Sequence, residues 1–372
     1  MVATLIVFSL LFFLPLFVIP VIVSPFEAPK VILAEILIEF LVFVHILRAS
    51  GSESRSYLKT IIKKQNILYL SLFLLSLISL ISLQTPVTFF GNPFRHQGVF
   101  LLWHLLTFSI LSSKLTLPRI PLIPLISLAG LLLGTLILGQ NEAGRFYGTL
   151  GEPNALAAAA IFIWPFAFFN PLSSKPWIKP LSPLITLIIL ILSGSRSALL
   201  AFLIQAIFLL LTRFKPAATG KFTLLSIILI TFSLIMPILE GGGWFENRSE
   251  VWSTSLLAGL QRPITGSGFG NMEYTLKETS RLTNNNIQYQ YVDSSHNFIL
   301  DFWVQGGLLG TGLIISTVFL SLLGLVRKKD RLLLCSFLGV LTVMSFNPIS
   351  VVTLLAFWYL IGQGFSLARR DL

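Results

Sequence analysis

"LSPLITLIILILSGSRSALLAFLIQAIFLLLT" (residues 181–212) consists of two strongly apolar runs, 181–195 and 197–212, with one charged residue, Arg196, in the Ser/Gly corner between them. A helix needs about 17–25 apolar residues to cross a hydrocarbon core about 30 Å thick, so the pair reads as two membrane helices joined by a tight turn. Similar runs occupy 2–23, 31–48, 67–83, 98–113, 119–139, 154–170, 223–239, 298–326, 332–346 and 349–367. The 372 residues are 55% hydrophobic and 11% charged, where soluble domains carry about 25% charged residues, and the mean hydropathy is +0.86. The expected fold is therefore an all-α polytopic membrane protein with about 12 transmembrane helices. It forms a single membrane domain, 1–372, without internal repeats or low-complexity tracts. The opening run has no basic n-region and is longer than a signal-peptide core, so it reads as the first span. Cys335 is the single cysteine and lies in an apolar run, which excludes an internal disulfide and a cysteine metal site.

The net charge of +11 would fit nucleic-acid binding if the charge were gathered on one surface. Instead most Lys and Arg fall on alternate loops. One loop holds Arg55, Lys59, Lys63 and Lys64, another Lys215 and Lys221, and a third Arg327, Lys328, Lys329 and Arg331. Basic residues mark the cytoplasmic side, so both termini are expected inside, and the charge is a topology signal with no nucleic-acid partner. Acidic residues and a minority of arginines gather on the other side. The loops there are short apart from 240–296, the one long extracytoplasmic loop.

Within that loop Ser249 or Asn247 can cap a helix, and Trp252, Leu256, Leu257 and Leu260 follow at helical spacing. Such a helix lies on the membrane or covers the bundle, with Arg248 at its N-terminus, where free N–H groups favour an anion. "GSGFGN" (266–271) is G-x-G-x-G with no preceding strand, which reads as a tight turn rather than a nucleotide loop. Ionisable groups at membrane depth default to function. Arg196 either satisfies helix-end carbonyls or binds an anion. Arg145 and Glu152 in "GRFYGTLGEPNALAAA" precede one span, and Arg95 and His96 in "GNPFRHQGVF" precede another. Each alone reads as a snorkelling interface residue, but several arginines on one side point to an anionic ligand. Glu35 and Glu39 share a helix face and read equally as a proton path or as partners of an arginine. In "YVDSSHNFILDFWVQGGLLG" (291–310), His296 reads as a hydrogen-bonded interfacial histidine or as a general base, since imidazole titrates near neutrality. Asp293 would orient the ring if that stretch is helical, and Asn297 is a neighbouring polar partner.

Together "SGSRSALL", "NRSEVWSTSLLAGLQRPITGSGFGN" and "SHNFILDFWVQGGLLG", in that order, resemble the O-antigen ligase/polymerase superfamily, whose shared region is called the Wzy_C domain. "FRHQGVFLLW" and "GRFYGTLGEPNALA" are similar to its upstream outer loops, so the resemblance covers about residues 90–325. It implies a twelve-span fold in the bacterial inner membrane, with the active site on the outer face. The implied reaction transfers a glycan from an undecaprenyl-diphosphate-linked donor to a hydroxyl of a glycan, lipid or protein acceptor. Its arginines match Arg196 and Arg248 as diphosphate ligands and its histidine matches His296 as the base. Arg145 and Arg95 join the diphosphate site, with Asp293, Asn297 and Glu152 supporting. The four aspartates, at 293, 301, 330 and 371, form no Asp-x-Asp metal motif, so a metal-independent, cofactor-free, inverting reaction is expected.

The same motifs serve ligases, polymerases and protein oligosaccharyltransferases. From another class, a transporter of lipid-linked sugar or another anion would also use arginines and Glu35/Glu39, though such sites lie near the midplane of repeated halves. The topology is tested by single cysteines labelled with an impermeant reagent in intact cells. Positions 270–290 are expected to react and 55–64 to be protected; the reverse pattern overturns it.

Overall fold

The structure is a computed structural model, and it describes residues 1–20, 24–49, 64–83, 86–115, 117, 120, 122–169, 180–214 and 248–367. The expected span 223–239, the first residues of the outer loop with Asn247, and the basic segments 55–63 and 215–221 lie outside the described residues. The described residues are helical, as the hydropathy pattern predicts, and hold no extended pairing beyond one isolated antiparallel bridge between Gln140 and Phe146.

The helices are α1 (Val2–Phe8), α2 (Glu27–Ala49), α3 (Lys64–Leu83), α4 (Pro86–Phe90), α5 (Val99–Ser112), α6 (Leu122–Leu138) and α7 (Pro153–Phe168), followed by α8 (Leu181–Ser193), α9 (Arg196–Phe214), α10 (Arg248–Gln261), α11 (Met272–Thr283), α12 (Phe298–Lys328), α13 (Arg331–Met344) and α14 (Val351–Leu367). The first apolar run stops short of its expected end. After α1 the chain passes through a π-helical turn and a 3₁₀ turn at Leu14–Leu16, then is extended at Phe17. Pro15 has no N–H to continue the ladder. Among the described helices only Phe298–Lys328 is both long and apolar enough to cross a membrane, and others carry shorter apolar stretches of 10–17 residues, such as Ile67–Ile81 and Leu122–Leu138.

The centre of the bundle is α13 with α14, buried along nearly their whole length. Around them hydroxyls and amides tie helices through backbone carbonyls. Ser109 on α5 donates to Trp358 O at 2.6 Å, and Gln363 on α14 donates to Ser112 O at 2.7 Å. Gln205 on α9 donates to Ile161 O and Cys335 O while accepting from Trp164, which joins α7, α9 and α13. Between apolar helices such bonds and close glycine contacts supply the specificity that hydrophobicity cannot. Outward faces are apolar too: Ile32, Ile36, Phe40, Phe43 and Leu47 on α2 and Ile67, Leu70, Leu74, Ile78 and Ile81 on α3 form exposed stripes.

α12 is broken at Gly307, whose φ of 59° and ψ of −153° lie where only glycine is comfortable. The break frees carbonyls of the preceding turn, and the 263–270 segment takes them up. Ser267 N donates to Val304 O at 2.8 Å and Gly268 N to Gln305 O at 2.9 Å, while Leu308 N donates back to Pro263 O at 2.8 Å. Gly270 N also bonds Gln305 Oε1 at 2.9 Å. The Gly-rich stretch is thus the tight turn that its pattern predicts, and it locks α10 and α11 onto the bundle. α10 covers α12, and its buried face matches the expected one in part. Trp252 is buried and Leu256 packs beside it, whereas Leu257 and Leu260 are exposed and Val251, Ala258 and Gly259 complete the inward side.

A Cβ on Gly307 would lie 2.6 Å from the Ile264 carbonyl. Gly307→Ala is therefore expected to lose about 1–3 kcal/mol or more through strain and clash, seen as a lower melting temperature in detergent. Gly312 has nothing within 4 Å of an added Cβ, so Gly312→Ala should be neutral or stabilising by up to about 1 kcal/mol. Equal effects of the two substitutions would refute the kink account.

Candidate active site

The turn that carries His296 is built by the first turn of α12. Asn297, fully buried, caps the helix by accepting from Ile299 N at 3.0 Å and Leu300 N at 3.3 Å. Asp301, one turn in, reaches back to accept from Ser295 N at 2.7 Å and Ser294 Oγ at 3.1 Å. Ser294 Oγ in turn accepts from His296 N at 3.0 Å. These bonds hold His296 at φ 57°, a left-handed conformation unusual for a side-chain-bearing residue. Local strain of this kind persists only where surroundings over-determine it, as they do here, and it gathers at functional sites. Nδ1 of the half-buried imidazole is itself buried and has no hydrogen-bond partner among the described residues.

Asp293 does not orient this ring. The stretch before His296 is irregular rather than helical, and Asp293 instead accepts from Arg95 Nε. Arg95 also lies 4.0 Å from Glu152 and donates to Ile349 O at 3.4 Å. Burial disfavours its charge, but Asp293, Glu152 and Glu27 outweigh that and hold its pKa above the usual value. Beside it Gln97 donates to Ile349 O at 2.8 Å and to Glu27 at 3.3 Å. Burial raises the Glu152 pKa, with Arg95 opposing.

Two of the other arginines meet at the α8–α9 corner. Arg145 donates to Ser193 O at 2.8 Å and to Asn154 at 2.9 Å, so it satisfies the end of α8. Arg196 is exposed at the first position of α9. The next residue, Ser197, accepts from Asn347 at 2.7 Å. The 345–350 turn thereby joins this corner to the rest, because Phe346 packs with Trp252 and Leu300, and Ile349 O receives Arg95 and Gln97. Arg248 starts α10 and acts electrostatically on His296. Burial is the largest influence on the imidazole, followed by the positive charges of Arg248 and Arg95; Asp293 opposes them, and the pKa falls to about 4.

A cavity of about 490 Å³ opens beside this turn. Its polar rim includes Asn92, Arg95, Glu273, Lys277 and Asp293, and its depth is lined by Leu101, Leu105, Phe357 and Trp358. Its lining includes neither His296 nor Arg145, Arg196 or Arg248. Sequence reasoning missed Asp301 and Asn347. The first is visible only as an acid five residues beyond the histidine, the second only as Asn-Pro between two apolar helices. Both matter through contacts distant or reversed in the chain. Such an arrangement offers a neutral base, fixed positive charge and an amphipathic cavity at one end of the bundle.

Residues 181–315 match the family model Wzy_C, described as O-antigen ligase. No curated protein matches the chain.

The depressed pKa fixes a stability dependence. Between about pH 6.5 and 4 the unfolded chain takes up a proton that the folded imidazole refuses. This contribution is full above pH 6.5 and is lost as pH falls toward 4. The melting temperature is expected to drop more steeply from pH 7 to 4.5 in the wild type than in His296→Gln. Parallel profiles would contradict the burial of a neutral imidazole.

Proposed function

We propose that this chain, a member of the O-antigen ligase superfamily, is a membrane glycosyltransferase of the ligase type. It moves a glycan from an undecaprenyl-diphosphate-linked donor to an acceptor hydroxyl outside the cytoplasm. The observation that carries this reading is the left-handed His296, held by Asp301 and Ser294 with its Nδ1 unpartnered among the described residues, in the field of Arg248 and Arg95. The exposed apolar stripes on α2 and α3 support a lipid environment. The alternating basic loops support about 12 spans with both termini cytoplasmic and the His296 end on the outer face of a bacterial inner membrane.

In the proposed reaction the acceptor O–H gives its proton to His296. Its oxygen attacks the anomeric carbon as the carbon–oxygen bond to the diphosphate breaks. The electron pair leaves with the lipid diphosphate, and one displacement inverts the anomeric centre. Arg248 and Arg196, planar and permanently charged, suit phosphate oxygens and stabilise the leaving group. Arg145 supports the Arg196 corner, while Arg95, Asp293 and Glu152 hold the neighbouring wall. A base of pKa about 4 is weak. Burial is the largest cause of that low value and the positive charges of Arg248 and Arg95 the next; a diphosphate beside Arg248 would offset the second, so the donor would restore part of the basicity.

The test is transfer by the purified protein from lipid-linked glycan to acceptor in EDTA. His296→Ala and His296→Gln are both expected to lose about 10²–10⁴-fold in kcat while still binding donor. Arg248→Lys should recover little of an Arg248→Ala loss of about 10²–10³-fold. Wild-type turnover in His296→Gln would remove the base, and trans-bilayer movement of the lipid without a new glycosidic bond would favour a transporter.

A further inference from the structure

α11 and the strip after it enclose a second concavity, a groove of about 210 Å³ lined by Glu273, Lys277, Gln288, Tyr289, Gln290 and Tyr291. Glu273 and Lys277, one helical turn apart, also line the larger cavity, so the two openings share a wall. The strip is anchored from beneath. Ile287 is buried with Val251 and Leu276, and Val292 packs on the same cluster. Asn285 holds Ile287 N at 3.2 Å. Between these anchors the polar and aromatic side chains face outward, with Tyr289 83% and Tyr291 56% exposed.

The Tyr291 wall is positioned rather than loose. Asn92 donates to the Tyr291 hydroxyl at 2.9 Å and to Glu273 Oε2 at 3.2 Å. The ring of Phe94 meets that of Tyr291 edge-on at 5.6 Å. Tyr274, 68% exposed, stands on the cavity side of the same helix. The groove therefore combines tyrosine side chains with amide and carboxylate groups that donate and accept. A sugar ring has matching chemistry: an apolar C–H face to lie on an aromatic ring and a rim of hydroxyls that both donate and accept. Tyrosines serving only as membrane-interface anchors have no need of a concave polar floor.

We infer that this groove is a carbohydrate subsite, holding sugar residues of the transferred glycan beside the cavity mouth. The inference rests on the glycosyl-transfer reading for the identity of the glycan but not for the binding itself. The probe is a lipid-free oligosaccharide released by mild acid from the cell's own lipid-linked glycan, with the purified full-length chain in detergent and saturation-transfer NMR as readout. Sugar protons are expected to receive saturation from wild type and equally from His296→Gln. Affinity should fall about 2- to 12-fold in Tyr289→Ala, the worth of one aromatic stack, and be retained in Tyr289→Trp. Tyr289 is exposed, so the substitution removes no core packing. In the transfer assay KM for the glycan donor should rise by the same factor with kcat unchanged.

If wild type binds the oligosaccharide in a Tyr289-dependent way but makes no glycosidic bond, the catalytic reading falls and the subsite stands. If transfer proceeds while Tyr289→Ala and Gln288→Ala alter neither binding nor KM, the subsite is wrong.

Discussion

The break in α12 at Gly307 is the constraint on which the site depends. A helix interrupted among apolar neighbours leaves carbonyls that water cannot reach, and each unsatisfied group is costly. Here Ser267 and Gly268 supply the missing donors to Val304 and Gln305, and Leu308 returns a bond to Pro263. The exchange fastens the 263–270 turn, and with it α10 and α11, onto the central bundle. Trp303, on the half of α12 before the break, donates to Leu256 O at 3.2 Å and packs against Gly259. Arg248 at the start of α10 is thereby fixed relative to His296 at the start of α12.

That rigidity matters because the groups at this end are electrostatically opposed to their own burial. Arg95 keeps its charge through Asp293 and Glu152, while burial first and then the positive charges of Arg248 and Arg95 drive His296 toward its neutral form. A half-buried cluster of this kind tolerates little movement, since each member is stabilised only while its partners stay in place. The 345–350 turn supplies the remaining ties, through Asn347 to Ser197 and through Ile349 O to Arg95 and Gln97. Four stretches distant in sequence are in this way brought to one end of the fold.

The helices were largely legible because apolar runs are long and interrupted by charge. The run 298–326 appears as Phe298–Lys328 and 154–170 as Pro153–Phe168. The reading of 266–271 as a turn also held, for a reason its glycines carry: three of them have positive φ. Facing was less legible. In α10 both sides carry apolar residues, so spacing selected Trp252 and Leu256, which pack inward, but also Leu257 and Leu260, where packing turns Val251 and Ala258 inward instead. The partners of the arginines were illegible because they are remote or on the backbone: Arg95 meets Asp293 across 198 residues, and Arg145 meets the carbonyl of Ser193 at the end of α8. Asp301 was hidden inside what reads as a membrane span, although it shapes the turn that presents the histidine.

A structure of the purified chain with undecaprenyl diphosphate bound tests the central claim most directly. The account predicts phosphate oxygens about 3 Å from the guanidinium of Arg248, on the His296 side of the 293–297 turn, with the imidazole facing the anomeric position. Phosphates held at the opposite end of the bundle, near Arg327–Arg331, with His296 enclosed by protein alone, would contradict it.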